Sequence, residues 1–189
     1  MEEVFHQNQY CGRNGKTKYD AVATVRDIIA YAEVSNTSLC LLSIDFSDAF
    51  NKISHAFLFK ILEKCGISKT FCQRLQNIYE GATSSLKMNG HKSNSISINC
   101  GVRQGCSLSM LLFATCINPL LTTPDKWLKG IKVNHNSHKK TAISYADDVT
   151  IVIRHPEEID VIREIMHNYM DATVANINET KSSALALGS

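Results

Sequence analysis

The feature that most constrains the fold is a stretch spanning residues 142–153, in which two apolar runs flank a short polar break. The runs are rich in β-branched residues, and the break between them reads Tyr-Ala-Asp-Asp, at positions 145–148. Apolar runs of this length around a polar break predict the two strands of a β-hairpin. Asp147 and Asp148 then lie at the turn, where adjacent carboxylates repel each other unless solvent or a cation screens them.

An Asp pair at a turn is ordinary, because Asp favours turns. A third acid elsewhere in the chain favours a functional role for the pair. Residues 39–46 form a mostly apolar run, typical of a strand buried on both faces, and Asp45 lies at its end. A carboxylate at the end of a buried strand is expected to have a partner or a bound ion, because burying it unpaired is costly. If the two elements are neighbours in one sheet, Asp45 meets the Asp pair, and together they supply the oxygen ligands that Mg²⁺ prefers.

Composition places the chain among ordinary globular proteins. Its 189 residues, 44% of them hydrophobic, suffice for one domain with a sizeable core. No segment is expected to reach the apolar length of a membrane span, and the N-terminus lacks the pattern of a signal peptide. Seven cysteines without CxxC or metal-binding spacing predict free, mostly buried thiols. An intracellular, non-secreted protein is therefore expected, with nucleus and cytoplasm not distinguished.

Charge is unevenly distributed along the chain. The net charge is +2, but the segment 52–103 holds eight Lys or Arg and two acids, so the remainder is acidic overall. A basic middle beside an acidic turn suits a polyanion that also meets metal ions. On charge alone, solvated helix faces explain the same pattern slightly better, so both interpretations stay open at this point.

The remaining pattern predicts a mixture of helices and hairpins. Helices are expected at 21–33 (capped by Asp20), at 56–65, after Ser68, at 108–121 (ended near Pro119 and Pro124), and from 156 to about 172. Asn89-Gly90 between alternating runs predicts a second hairpin, and 184–187 a final strand. The prediction is an α+β fold, an antiparallel sheet with helices mainly on one face. A receiver-type phosphotransfer domain, which would also cluster acids, needs parallel strands that these hairpins argue against.

Four blocks in this order and spacing resemble the palm motifs of reverse transcriptases, most closely those of LINE-type (non-LTR) retrotransposons. They are SIDFSDAFNK at 43–52, GVRQGCSLS at 101–109, YADD at 145–148 and NETKS at 178–182. The resemblance extends from about residue 9 to 188 and implies a polymerase palm-like sheet. It assigns 39–65 and 101–189 to the palm, and about 1–38 and 66–100 to fingers-like or connecting parts. The thumb that grips the duplex has no counterpart here, and the helix at 108–121 is expected to be incompletely covered.

The resemblance implies catalytic roles for several residues. Asp45, Asp147 and Asp148 match the carboxylates that hold two Mg²⁺ ions, with Mn²⁺ as an alternative ion. The carbonyl of Phe46 matches a further metal ligand. Lys181 matches a lysine thought to protonate or neutralise departing pyrophosphate, although a solvated Lys at a turn is an ordinary alternative.

The same resemblance implies a binding site for deoxynucleoside triphosphates. The turn at Asp48 and Ala49 would offer backbone N–H groups to the triphosphate. Phe50 matches the bulky gate that stacks under the sugar and excludes a 2′-OH. Gln104 and Gly105 match the loop that borders nucleotide and template at a helix N-terminus.

The implied function is RNA-directed DNA polymerisation in a retrotransposon, with an RNA template, a DNA primer and dNTPs as partners and no membrane. Four positions depart from the family pattern: Ser107 and Met110 stand where Pro is frequent, Asn51 where Asp is common, and Val174 where Gly is common. None of them removes a metal ligand. The alternative is a truncated, inactive retroelement remnant that at most binds nucleic acid. Oligomeric state is not readable from the sequence.

Overall fold

The computed structural model describes residues 4–103, 105–134 and 137–188. Its centre is a four-stranded antiparallel sheet in the order β10-β1-β8-β7. The two central strands are β1 (Leu39–Ile44) and β8 (Asp148–Ile153), and the outer strands are β7 (Ala142–Tyr145) and β10 (Ser183–Leu187). The predicted hairpin around residues 145–148 is therefore confirmed as β7–β8, and the predicted final strand as β10.

Both faces of this sheet are covered. On one face, Leu39 and Leu41 of β1 join Val152 of β8 in a cluster with helix α1 (Lys18–Val34). On the opposite face, Ile44 and Ile151 join a larger cluster that draws on the other four helices. Burial on both sides explains why the central strands read as nearly continuous apolar runs.

The other four helices are α2 (His55–Lys64), α3 (Lys69–Tyr79), α4 (Ser107–Trp127) and α5 (Glu158–Thr173). With four helices contributing to the cluster on one face and α1 on the other, the predicted α+β fold with helices mainly on one face is confirmed. The capping of α1 differs from the prediction, because Thr17 is the N-cap and Asp20 lies three residues later. The two side chains bond each other's backbone in a capping box.

Helix α4 corrects three predictions. It does not end near Pro119 or Pro124 but continues through both to Trp127, because burial on several sides outweighs the cost of the missing backbone donors. It is also long and apolar enough, by length and composition, to cross a membrane, although 61% of its most apolar window is buried inside the domain. The expectation of an incompletely covered helix is wrong for most of its length, since nearly all side chains between Leu112 and Leu121 are buried.

The segment 83–97 projects as a small arm of two nested two-stranded ladders. Strands β3 (Thr83–Ser84) and β6 (Ile96–Ser97) pair at its base, and β4 (Lys87–Met88) and β5 (His91–Lys92) pair at its tip. The tip turns at Asn89-Gly90, and both residues have positive φ, 49° and 81°. This is the two-residue turn that the Asn-Gly pair predicts.

The seven cysteines all lie in the described part of the chain and are free thiols, as predicted. Cys11, Cys72 and Cys116 are buried, whereas Cys100 and Cys106 are exposed. The expectation of mostly buried thiols therefore fails for these last two, because each lies in a loop beside a helix or strand end rather than in an apolar element.

Candidate active site

The strand register brings Asp45 and Asp148 to the same end of the sheet. The last pair of the β1–β8 ladder is Ile44 with Val149. Asp45 directly follows Ile44, and Asp148 directly precedes Val149, so the antiparallel register sets the two acids across from each other. The spatial relationship on which the catalytic interpretation depends is thus present.

A tight turn presents the neighbouring acid. Tyr145 pairs with Asp148, which leaves Ala146 and Asp147 as the two turn residues between β7 and β8. Ala146 takes the left-handed conformation, with φ of 55°, and its side chain is buried. Asp147 is half-buried, whereas Asp148 is exposed. The hairpin therefore holds both carboxylates at the end of the sheet, with solvent access to Asp148.

The electrostatics of Asp148 reflect both its partial burial and the two other acids. Partial burial raises the pKa of Asp148 above its usual value, and the negative charges of Asp147 and Asp45 raise it further. The carboxylates nevertheless stand apart. Within the described ranges, no three His, Cys, Asp or Glu side chains are gathered closely enough to hold a metal ion. The three acids thus repel one another across an open site.

The loop that contains Lys181 is tied directly to Asp45. The backbone N–H of Asp45 donates to Ser182 Oγ at 3.1 Å, and its carbonyl accepts from the N–H of Asn178 at 2.8 Å. Strands β2 (Phe46–Ser47) and β9 (Asn176–Ile177) continue this contact through the pair Phe46 and Ile177. Lys181 lies exposed on the same turn. Sequence blocks more than 130 residues apart therefore meet at the backbone of Asp45.

A second loop docks beside Phe50. The N–H of Val102 donates to the carbonyl of Phe50 at 2.8 Å, and the N–H of Gly101 to that of Ile53 at 2.7 Å. A Cβ at Gly101 would come within 2.9 Å of the Asn51 backbone, so only glycine permits this approach. The half-buried ring of Phe50 stacks on Phe113 of α4, with centroids 4.2 Å apart and planes 20° apart. The first two sequence blocks thus form one surface.

The predicted nucleotide contacts are partly described. Asp48 is exposed and left-handed, with φ of 53°, and it precedes a short 3₁₀ turn, Ala49–Asn51, in which Ala49 is buried. Gly105 is exposed with φ of 78°, two residues before α4 begins. Gln104, also predicted to border the nucleotide, lies outside the described residues.

Sequence reasoning missed the support beneath the hairpin. The N-terminal segment pairs with β7 through two backbone hydrogen bonds, from Tyr10 to Ser144 at 2.9 Å and from Ser144 to Asn8 at 3.0 Å. Gln9 is fully buried, and its side chain donates to Ser144 Oγ at 3.3 Å. Ser144 Oγ in turn donates to the carbonyl of Ala146 at 3.0 Å. The sequence gives little signal for this pairing, because two adjacent polar residues, Asn8 and Gln9, do not resemble a buried strand.

Burial raises the pKa of the Cys11 thiol, and the charge of Asp147 raises it further. This thiol therefore lies close beneath the turn and stays in its neutral form. A neutral group there adds no further negative charge next to the three acids.

Comparison with known proteins agrees with this geometry. The family model described as reverse transcriptase (RNA-dependent DNA polymerase) matches residues 1–187. The Xenopus laevis protein named Transposon TX1 uncharacterized 149 kDa protein is 32% identical over 189 residues, which are 100% of this chain and 14% of that protein. The Drosophila melanogaster Pol polyprotein of the type-2 retrotransposable element R2DM is 28% identical over 160 residues, 84% of this chain and 15% of that protein. The chain therefore spans about one seventh of these relatives.

Solved structures show the same fold at lower sequence identity. Telomerase from Candida tropicalis, in complex with a TWJ fragment of telomeric RNA, superposes with a TM-score of 0.71 at 13% identity. The match covers 96% of this chain and 30% of that one. The apo telomerase truncated from its C-terminal domain gives 0.67 at 15% identity, over 96% of this chain and 36% of that one. In sequence and in fold, this chain belongs to the reverse transcriptase family as a retrotransposon-type domain, with relatives among LINE-type non-LTR elements.

Proposed function

We propose that this domain catalyses RNA-directed DNA synthesis, with Asp45, Asp147 and Asp148 as its catalytic carboxylates. The observation that supports this most directly is the register that sets Asp45 opposite Asp148 at the β7–β8 turn. In the proposed reaction, the primer 3′-oxygen forms a bond to the α-phosphorus of a dNTP. The bond from that phosphorus to the bridging oxygen breaks, pyrophosphate leaves, and the 3′-OH proton passes to solvent.

The donor set fits a divalent cation. Partial burial and then the charges of Asp147 and Asp45 raise the pKa of Asp148, and a hard cation would offset this disfavoured negative charge. We propose Mg²⁺, with Mn²⁺ as an alternative, held by Asp45, Asp147, Asp148 and the Phe46 carbonyl. The bound ions would stabilise charge on the attacking and leaving oxygens. Because the acids stand apart, ion binding should draw the carboxylates together.

The proposed nucleotide contacts come from three segments of the chain. The left-handed Asp48, followed by Ala49, curves the backbone, and such curvature points N–H groups toward an anion. Phe50 is braced by Phe113, so its ring has a fixed surface against which a sugar can rest. Lys181 is exposed on the turn that binds the Asp45 backbone, and its ammonium group would neutralise a departing pyrophosphate. Gly105, at the start of α4, completes the proposed boundary together with Gln104.

Nucleic acid is the proposed macromolecular partner. The reverse transcriptase family is defined by copying RNA into DNA, and the telomerase similar in fold was solved with an RNA fragment. The basic segment 52–103 carries eight Lys or Arg against two acids. Such an excess favours binding of phosphate backbones through release of counterions. An RNA template and a DNA primer are the partners that this chemistry requires.

Primer extension tests the proposal. Purified protein is given a poly(rA) template, an oligo(dT) primer, dTTP and Mg²⁺, and incorporation is measured over time. Wild-type protein should extend the primer. Asp147→Asn should reduce incorporation to background, because the pair of adjacent acids loses one charge. Asp27→Asn is the matched control, since Asp27 is an exposed carboxylate on α1.

A second readout separates chemistry from folding. Mg²⁺ at ten times its dissociation constant should stabilise wild-type protein by about 1.4 kcal/mol, and Asp147→Asn by less. Folded wild-type protein that shows neither incorporation nor stabilisation by Mg²⁺ would support the alternative, an inactive remnant that at most binds nucleic acid.

A further inference from the structure

A cavity of about 510 Å³ lies at the end of the sheet opposite the acids. It is formed by the loop after α4, by Tyr31 of α1 and by Arg154, which directly follows β8. Six residue steps along β8 separate Arg154 from Asp148, which is about 20 Å of extended strand. The cavity is thus distinct from the candidate active site and makes no use of its residues.

The cavity wall is strongly basic. Lys129, Lys132, Lys139 and Arg154 line it, and no carboxylate is among the residues that form its wall. In the part of the chain that the structure describes, none of the four takes part in an ion pair with a carboxylate side chain. With no carboxylate paired to them, these cations leave the wall positively charged, and a bound anion would reduce their mutual repulsion.

A buried carboxylate lies behind this wall, but it is already satisfied. Glu158 is 7% exposed and accepts hydrogen bonds from the backbone N–H groups of Lys129 and Arg154, each at 2.7 Å. It therefore anchors the two segments that carry the cations. Even with this charge counted, the wall stays net positive.

Two of the cationic side chains differ in their hydrogen bonding. Lys139 Nζ donates to the carbonyls of Asp125 at 2.7 Å and Leu128 at 3.0 Å, so its position is fixed. The Nε of Arg154 is buried and has no acceptor among the described residues. A buried donor without an acceptor is costly, about 1–3 kcal/mol, and such a group in a native fold calls for an explanation.

Tight backbone packing shapes the cavity. Gly130 has φ of 59°, and a Cβ there would come within 2.6 Å of the Lys140 carbonyl. The chain therefore bends closely at this point, and its lysines project from a defined loop. A concave site lined by three lysines and an arginine, with no carboxylate in its wall, matches the chemistry of a phosphate group.

We propose that this cavity binds a phosphate group of a nucleic acid backbone, as a second contact remote from the catalytic carboxylates. The choice of nucleic acid as the source of the phosphate rests on the proposed function. A contact about 20 Å from the acids would hold the bound strand in register while the primer end is processed. Contacts of this kind position a nucleic acid without reading its sequence.

The test is binding of a fluorescent single-stranded RNA of thirty nucleotides, measured by anisotropy at several salt concentrations. The variant is Lys129→Ala with Lys132→Ala, because both side chains are exposed and Lys129 keeps its backbone bond to Glu158. If each lysine contacts one phosphate, the slope of log K against log salt should fall by about 1.4. Lys126→Ala with Arg163→Ala removes the same charge from exposed positions outside the cavity and should leave the slope unchanged.

The outcomes separate this inference from the proposed function. An equal fall of the salt slope in both double variants would overturn the cavity proposal, because the overall positive charge of the protein would then explain the binding. Free inorganic phosphate is the alternative ligand for this cavity. If it stabilises wild-type protein but not the double lysine variant, while both bind RNA equally, the assignment to nucleic acid is wrong. Asp147→Asn should abolish primer extension without changing the salt slope. An unchanged salt slope in the variant Lys129→Ala with Lys132→Ala, while wild-type protein still extends the primer, would refute the cavity proposal alone.

Discussion

The central sheet and the arm at 83–97 are both antiparallel, yet they are stabilised in different ways. Val149, Ile151 and Val152 of β8 are fully buried, whereas every residue of the four arm strands is exposed. The sheet is stable because apolar surface leaves water on both faces. The arm depends on its Asn89-Gly90 turn and short ladders, although a two-stranded hairpin is marginal alone. The acids lie at the end of this sheet, so the candidate site is built on the part of the molecule that resists local opening.

The largest expected effect contrasts one isoleucine from each region. Ile151→Ala should lower the free energy of unfolding by about 2–5 kcal/mol, because it opens a cavity beneath the hairpin. Ile96→Ala in the arm should change it by less than about 0.5 kcal/mol, because Ile96 is 57% exposed. Urea denaturation followed by circular dichroism measures both. Similar losses in the two variants would mean that the arm is part of the cooperative core.

A smaller change in the free energy of unfolding, of opposite sign, is expected at the strained C-terminal end of helix α5. Val174 ends α5 in the left-handed conformation, with φ of 67°, which a β-branched residue rarely adopts. Its side chain is 61% exposed, so little packing is lost on its removal. Val174→Gly should therefore raise the free energy of unfolding by about 1 kcal/mol.

Val22→Gly supplies the control, because Val22 is 65% exposed but lies inside helix α1. Glycine at this position should lower the free energy of unfolding by a few tenths of a kcal/mol, since it only weakens helix propensity. Thermal melts of the two variants should therefore shift in opposite directions. A destabilised Val174→Gly would show that this helix end is not strained.

The smallest global effect is expected at the arm tip. Gly90→Ala forces a side chain onto a residue with φ of 81°, although nothing lies within 4 Å of the added Cβ. The global melting temperature should hardly change, because the arm adds little burial. Hydrogen exchange should instead quicken for the Ser93 amide, which bonds the Leu86 carbonyl at 2.9 Å. Unchanged exchange there would mean that the arm is held by more than its turn.

The sequence predicted the hairpin, most of the helices and the fold class for a physical reason. Strand and helix periods appear directly in the order of apolar residues, and Asn-Gly and Ser caps mark local boundaries. Predictions failed where tertiary contacts outweigh local rules. Pro119 and Pro124 look like helix ends, yet burial carries α4 through both. The 0% exposure of Asn8 and Gln9 could not be inferred, because polar residues are buried only when distant partners satisfy them.

Of the candidate site, the sequence by itself determined the chemistry: three aspartates, a lysine, an aromatic residue and glycine-containing loops in a fixed order. The tertiary structure alone decided that Asp45 faces Asp148, that Ser182 and Asn178 hold the Asp45 backbone, and that four cations surround a cavity at the far end of the sheet. The reason is that residue identity and hydrophobic periodicity can be read from a short stretch of sequence. Register and convergence depend on contacts between segments that are more than 100 residues apart in the chain, and these form only when the whole core is packed.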